Sequence, residues 1–367
     1  MKLEITKESL LEAISLVIGV VERRQSMPIL SHLLISLSDG ELSVIGTDLE
    51  VQVQVQTLID AKTSEAGKVT LPGRKLYDIC RSLPEGAILL VGEENGKTKV
   101  SSGSTKFSLS SLVASEFPLM SSEETDNQIE LDSDDFIRLL EKTSFSMANQ
   151  DVRHYLNGVM LQIKNNNMYA VATDGHRLAL SCHPLKEEAP TDFNIIVPRK
   201  AVIELQKILL SGKKVIIKSN KNQISVKQDQ KTLTSKLIDG NFPDYERVIP
   251  PSPTNVITAD RKKIKQSLQR VSILSNEKYR GIRINIDTNQ ILIRANNPEQ
   301  EEAEESLSVG FNGDSLEVGF NVGYLIDILS VIEQDEIKLS FIDSSSSCLV
   351  RGVNNERDTY VVMPMRL

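Results

Sequence analysis

The sequence predicts an α+β protein built from three tandem copies of one domain, each with two helices packed on antiparallel sheets. Two recurring markers and a shared element order carry that prediction. Thr47-Asp48, Thr173-Asp174 and Asn296-Asn297 each end a strand-like run, 126 and then 123 residues apart. Pro72, Pro198 and Asn321 repeat the same two spacings and each precedes a helix-like stretch. Two markers sharing both intervals make a long internal repeat, far longer than a solenoid unit. Polar 121–128 and the proline-rich Pro250-Pro251-Ser252-Pro253 separate the copies, which gives domains at 1–125, 126–254 and 255–367.

Each copy opens with an amphipathic helix. The apolar period predicts helices over 7–21 (Leu10, Leu11, Ile14, Val17, Ile18), 133–145 (Phe136, Ile137, Leu139, Leu140) and 261–274 (Ile264, Leu268, Val271). A β-hairpin follows. It turns at Asp39-Gly40 in the first copy, through Asn165-Asn166-Asn167 in the second and at 287–289 in the third. Residues 51–56 alternate Val and Gln, the pattern of a half-buried strand. Second helices are expected over 74–83, 200–210 and 322–332, followed by further strands. This makes about eight strands per copy. The first two copies then carry Glu116-Phe117-Pro118 and Asn241-Phe242-Pro243, whereas the third is expected to be cut short at Val361–Leu367.

Composition narrows the function. At 367 residues the chain exceeds one ordinary domain, and 40% hydrophobic with 25% charged residues is a globular composition. No 18-residue apolar run reads as a membrane span, and the start Met1-Lys2-Leu3-Glu4 shows no apolar signal core. Cys80, Cys182 and Cys348 fit reduced thiols better than a disulfide framework, which points to the cytoplasm. With no Trp and 4% aromatics, a stacking platform for single strands is not expected. The net charge of −8 argues against nucleic acid when taken as an average. The charge is segregated, however. Residues 260–283 hold eight Lys and Arg against two acids, while 299–305 hold five glutamates and no base.

No catalytic constellation emerges. His32, His154, His176 and His183 form no i, i+4 ligand pair and there is no CxxC, so no metal and no other cofactor is expected. Neither a Gly-x-Ser-x-Gly elbow nor a phosphate-binding glycine loop is present. Asp174 and His176 occupy the positions of Asp48 and Glu50 in the first copy, which favours a repeated turn over a catalytic pair. Tyr360–Leu367 reads as a last strand pinned to its sheet, with Met363 and Met365 offering an adaptable apolar surface.

Specific strings add a resemblance. Met27-Pro28-Ile29-Leu30, Gln150-Asp151-Val152-Arg153, Ala172-Thr173-Asp174-Gly175-His176-Arg177-Leu178, Phe242-Pro243-Asp244-Tyr245, Leu274-Ser275-Asn276-Glu277-Lys278 and the terminal Met363-Pro364-Met365-Arg366-Leu367 span essentially the whole chain. Together they resemble the bacterial DNA polymerase III beta subunits, the replicative sliding clamps, in their gammaproteobacterial form. The resemblance implies a non-catalytic processivity factor: a head-to-tail homodimer forming a six-domain ring around duplex DNA, with basic side chains inward and acidic ones outward. Its implied DNA-facing residues are Arg24, Arg74, Gln150, His154 and Tyr155, with Lys200 and Lys263 added on helix position alone. His154 stands where relatives carry tyrosine.

The implied dimer contact sets Lys75, Lys106 and Phe107 of one copy against Ile273, Leu274, Glu301, Glu302, Glu304 and Glu305 of the other. The serine-rich 101–105 stretch departs from the relatives' more basic pattern, which leaves fewer ion pairs. The implied partner pocket comprises Leu156, Thr173, Gly175, His176, Arg177, Leu178, Pro243, Arg247, Val248, Asn321, Tyr324, Ser347, Val361, Val362, Met363, Pro364, Met365 and Arg366. It would accept short apolar peptides from the polymerase III alpha subunit, the clamp loader delta subunit, other polymerases and repair proteins. Two alternatives stand beside this reading: an enzyme using Asp174 and His176, and a repeat scaffold that binds only proteins.

Overall fold

The computed structural model describes residues 1–22, 27–59, 64–93, 96–121, 125–186, 192–251 and 253–366. The first copy runs β1 (Lys2–Thr6), α1 (Lys7–Val17), β2 (His32–Ser38), β3 (Glu41–Thr47), β4 (Val51–Leu58), β5 (Gly67–Pro72), α2 (Gly73–Ser82), β6 (Ala87–Glu93), β7 (Lys97–Ser102) and β8 (Thr105–Ser110). The second repeats this order with β9 (Asn127–Asp132), α3 (Ser133–Thr143), β10 (Gly158–Lys164), β11 (Asn167–Thr173), β12 (Arg177–Pro184), β13 (Phe193–Pro198), α4 (Arg199–Ile208), β14 (Lys214–Ser219), β15 (Gln223–Gln228) and β16 (Lys231–Lys236). The third has β17 (Asn255–Asp260), α5 (Arg261–Val271), β18 (Gly281–Asp287), β19 (Gln290–Asn296), β20 (Glu302–Ser308), β21 (Leu316–Asn321), α6 (Val322–Val331), β22 (Glu336–Phe341), β23 (Cys348–Gly352) and β24 (Asp358–Val362). The third copy therefore has eight strands, the number expected per copy, with β24 as the last. Among the described residues, four follow its eighth strand, Met363 to Arg366.

The described residues cluster into two compact units: Met1–Ile137 with Lys200–Leu237, and Arg138–Arg199 with Ile238 to the C-terminus. The first unit holds the four-stranded sheet β1-β6-β7-β8 and the eight-stranded sheet β5-β2-β3-β4-β16-β15-β14-β9. The second holds the four-stranded sheet β20-β19-β18-β21 and the eight-stranded sheet β13-β10-β11-β12-β24-β23-β22-β17. Each eight-stranded sheet joins the fourth strand of one copy to the eighth strand of the next, β4 to β16 and β12 to β24. Both joints share one register: Gln52 faces Thr234 in the first, and Leu178 faces Val361 in the second. Among the described residues, the fourth strand β20 and the eighth strand β8 are left without such a partner.

Local chemistry explains the elements. The first hairpin closes Ser38 onto Glu41 around Asp39 (φ 51°) and Gly40 (φ 77°), and the second closes Lys164 onto Asn167 around Asn165 (φ 50°) and Asn166 (φ 56°). Both are two-residue turns with left-handed central residues, which Asn, Asp and Gly tolerate best. Caps set the helix starts. Thr6 accepts from the Ser9 amide, Asp260 from Lys263 N at 2.9 Å, and Asn321 from Gly323 N at 2.9 Å. α1 stops four residues short of the expected end. Past Val17 the chain passes Gly19, where the Glu204 carboxylate occupies the space a Cβ would need.

In the second unit, alternation sends neighbours to opposite faces of one sheet. Val362 joins a core with Ile284, Phe320, Phe341 and Tyr360, while Val361 joins a second cluster with Met160, Val171, Leu178 and Tyr245. Fully burying each such side chain is worth about 1.5–3 kcal/mol. No helix of the described residues is long and apolar enough to cross a membrane.

Candidate functional site

A cavity of about 180 Å³ opens at the β12–β24 joint, within the second unit. The turn between β11 and β12 forms one side. Asp174 Oδ1 accepts from the amides of His176 (2.9 Å) and Arg177 (3.0 Å), and Thr173 Oγ1 accepts from Gly175 N at 3.1 Å. This holds Gly175 at φ 87°, and a Cβ there would lie 3.0 Å from an Arg153 guanidinium nitrogen. A 3₁₀ turn, His154–Leu156, brings Tyr155 and Leu156 to the rim, and a second, Tyr245–Val248, brings Tyr245 and Val248. The tail closes the ring of contacts, because the Met363 amide donates to His176 O at 2.9 Å and places Met363 at the cavity.

Three side chains are held firmly. Arg153 forms a two-point pair with Asp151 (3.1 and 3.0 Å) and reaches Asp174 O at 3.3 Å; its hydrogen bonds draw the Asp151 carboxyl down to about 2. Arg177 binds Asp174 (3.2 Å), Asp327 (2.5 Å) and Phe145 O (2.8 Å), with its guanidinium 4.6 Å from the Tyr324 ring centroid. Burial pushes the Tyr245 phenol up to about 12, and its hydroxyl donates to Gln162 at 2.8 Å. The result is a mostly apolar hollow with fixed polar groups at its edge, the usual form of a small ligand site.

The structure gathers nine of the expected pocket residues around this cavity: Leu156, Thr173, Gly175, Arg177, Leu178, Pro243, Val248, Val361 and Met363. His176 is exposed beside it and stacks on Tyr324, centroids 6.4 Å apart. Val362 is turned into the core by the strand's alternation. Arg247 is 86% exposed and paired with Asp244. Asn321 caps α6, and Ser347 sits in the turn before β23. Met365 and Arg366 line a separate cleft, with the Met365 amide donating to Gly319 O at 2.8 Å. Pro364 lies between the two. Sequence reasoning missed Arg153 and Tyr245 as walls. Both lie inside strings singled out for the resemblance, and their place follows from the two short 3₁₀ turns.

Of the expected DNA-facing residues, Arg24 lies outside the described residues. Arg74 is exposed on α2 and donates to Val21 O at 3.3 Å. Gln150 (φ 56°) and His154 are exposed, while Tyr155 is half-buried at the cavity. Lys263 is exposed on α5, but Lys200 is engaged, its Nζ held by Asp48 (2.6 Å), Glu22 (3.2 Å) and Val20 O (3.1 Å).

Of the expected self-contact residues, Lys75 is exposed on α2, Lys106 is exposed and Phe107 half-buried on the free strand β8, and Ile273 is 76% exposed beside Leu274. Glu302 and Glu304 lie exposed on the free strand β20, just after Glu301. Glu305 is engaged within its own chain: hydrogen bonds from Arg270 and Ser267 hold its carboxyl below the usual range.

Three family models match in sequence: the N-terminal, central and C-terminal domains of the DNA polymerase III beta subunit, at residues 1–121, 130–244 and 246–366. The chain belongs to the DNA polymerase III beta subunit family. Among beta sliding clamps, it is 44% identical to that of Pseudomonas putida and 42% to that of Escherichia coli, each over the full length of both chains. A crystal structure of the Pseudomonas aeruginosa sliding clamp with ligand superposes with a TM-score of 0.96, at 42% identity and full coverage of both chains. Another from that organism, 43% identical with the same score and coverage, is bound to griselimycin.

Proposed function

We propose that this chain is a sliding clamp: two copies join head to tail around duplex DNA, and the cavity of each copy takes the apolar residue of a short peptide from a polymerase or another DNA-processing protein. The two identical joints within the chain carry the reading. They pair a fourth strand with an eighth, and the strands left over are β20 and β8. Transposing the common register onto them sets Phe107 of one copy opposite Ala303 of the other, Ser108 opposite Glu302, and Lys106 opposite Glu304. Two β20 edges would set glutamates against one another, so charge favours the mixed contact over the like one.

Grip on DNA would then be topological, with Arg74, Gln150, His154, Lys263 and Arg24 supplying weak, sequence-independent phosphate contacts that permit sliding. Tethering a polymerase raises its effective concentration at the primer end. The test is retention on nicked circular DNA after loading by a matching clamp loader with ATP. Release on linearising the circle supports the ring. Equal retention on circle and line, lost only to salt, sinks it. A solution mass near about 82 kDa, twice 40.8 kDa, checks the dimer independently.

A further inference from the structure

In the first two copies, one face of the β2-type sheet is apolar and covered by the segment that follows the eighth strand. Leu34 and Ile45 pack under Phe117, and Met160, Val171, Leu178 and Leu180 pack under Phe242 and Tyr245. In the third copy the described residues after the eighth strand run along the sheet instead, with Met365 bridged to Gly319. Counted from its strand pairings, the four positions of the second copy become Arg283, Arg294, Glu302 and Glu304. They line a cleft of about 920 Å³. A polar face of this kind excludes an apolar occupant.

The charges are ordered across the cleft. Strand register sets side by side Met365, Gly319, Arg283, Arg294 and Glu304. The arginines stand nearer the tail and the glutamates at the free edge. Arg283 and Arg294 face each other directly, a like-charge pair that costs stability in a sheet. Glu317 lies 3.7 Å from Arg283 and Glu304 2.6 Å from Arg294. Arg366, Asn276 and Tyr279 add donors to the same cleft. The tail connects cleft and cavity: Met363 lines one and Met365 the other, about 7 Å apart along an extended chain.

We propose that the cleft receives an acidic flank of the peptide whose apolar residue sits in the cavity. Carboxylates placed within about six residues of that anchor meet the Arg283–Arg294 pair and Arg366, so the partner class is an apolar-plus-acidic linear segment. The proposal rests on the peptide reading of the cavity.

Fluorescence anisotropy on the full chain tests it with two labelled peptides that share one apolar anchor. One carries three Asp residues in the flank and the other three Ser. The acidic peptide binds about three- to tenfold tighter at low salt, the yield of two exposed ion pairs, and the gain fades near about 0.5 M salt. Arg283→Ala and Arg283→Gln each reduce the gain to about two- to threefold, the yield of the one pair left, and leave the Ser peptide unchanged. Equal affinities, or a gain that survives both variants undiminished, overturn the cleft proposal while Gly175→Leu still weakens both peptides. If Gly175→Leu weakens neither, the cavity reading falls and this proposal falls with it.

Discussion

The two inter-copy joints use one turn and put different side chains on it. At the first joint, Asp48 Oδ1 accepts from Glu50 N (2.9 Å) and Val51 N (2.7 Å), and Thr47 Oγ1 accepts from Leu49 N (3.1 Å). At the second, Asp174 and Thr173 make the same bonds within a few tenths of an ångström. Leu49 has φ 77° and Gly175 φ 87°. A leucine in the left-handed region costs about 1–2 kcal/mol. The first joint tolerates this because Leu49 packs on the cluster of Ile29, Leu30 and Phe117. The second joint has glycine at that place, and a cavity opens beside it. The backbone of the turn is thus shared, while the joint that carries leucine is packed and the joint that carries glycine has a cavity beside it.

The sharpest way to break this comparison is to move the leucine. Gly175→Leu puts a side chain where Arg153 and the hollow now lie, and the apolar anchor of a bound peptide loses its place. Losing about 2–3 kcal/mol of anchor burial lowers peptide affinity roughly 30- to 150-fold, read by anisotropy; an unchanged affinity would show that the cavity is not the anchor site. Arg177→Ala removes the cation shared by Asp174, Asp327 and Phe145 O. Unfolding in denaturant should register a loss of about 3 kcal/mol, the scale for breaking a mostly buried pair, and a change within error would mean the turn supports itself.

The reciprocal change, Leu49→Gly, relieves left-handed strain but forfeits packing. The two nearly offset, leaving a loss of about 1 kcal/mol at the thermal midpoint; a loss above about 3 would mean that the turn carries little strain. The smallest effect is with pH. Asp151 titrates at about 2 in the fold, below its usual value, because Arg153 hydrogen-bonds its charged form. Its contribution is present above about pH 4 and is lost as pH falls through about 2. Carboxyl chemical shifts of Asp151 should show that midpoint, and Arg153→Ala should return it toward 3.8.

Much of this architecture is legible in the sequence. The repeat spacing, the Asp-Gly and Asn-Asn turns and the Pro72 and Pro198 helix starts all arise from local chemistry, which a sequence carries openly. The helix ends were less legible: α1 stops at Val17, and the space a side chain at Gly19 would need is taken by Glu204, far away in sequence. At the site, Val362 could have been excluded by alternation alone, since Val361 and Val362 must face opposite ways. Lys200 had the look of a free inner-face cation. Its capture by Asp48 and Glu22 is a long-range contact that no spacing reveals. Arg153 and Tyr245 were hidden for the same reason, being placed by 3₁₀ turns whose positions depend on packing.

The unmatched strands β8 and β20 carry a consequence of another kind. The proposed contact between β8 and β20 would be heterologous, and such contacts end in one of two ways. If the angle between the two edges closes, a finite particle forms and every edge is used. If it does not, the same contact repeats without limit and the product is a fibre. In the proposed ring, the angle between β8 and β20 would decide between the two. A lesion at either internal joint, far from any ligand, would be seen first as filaments in the electron microscope rather than as unfolded protein.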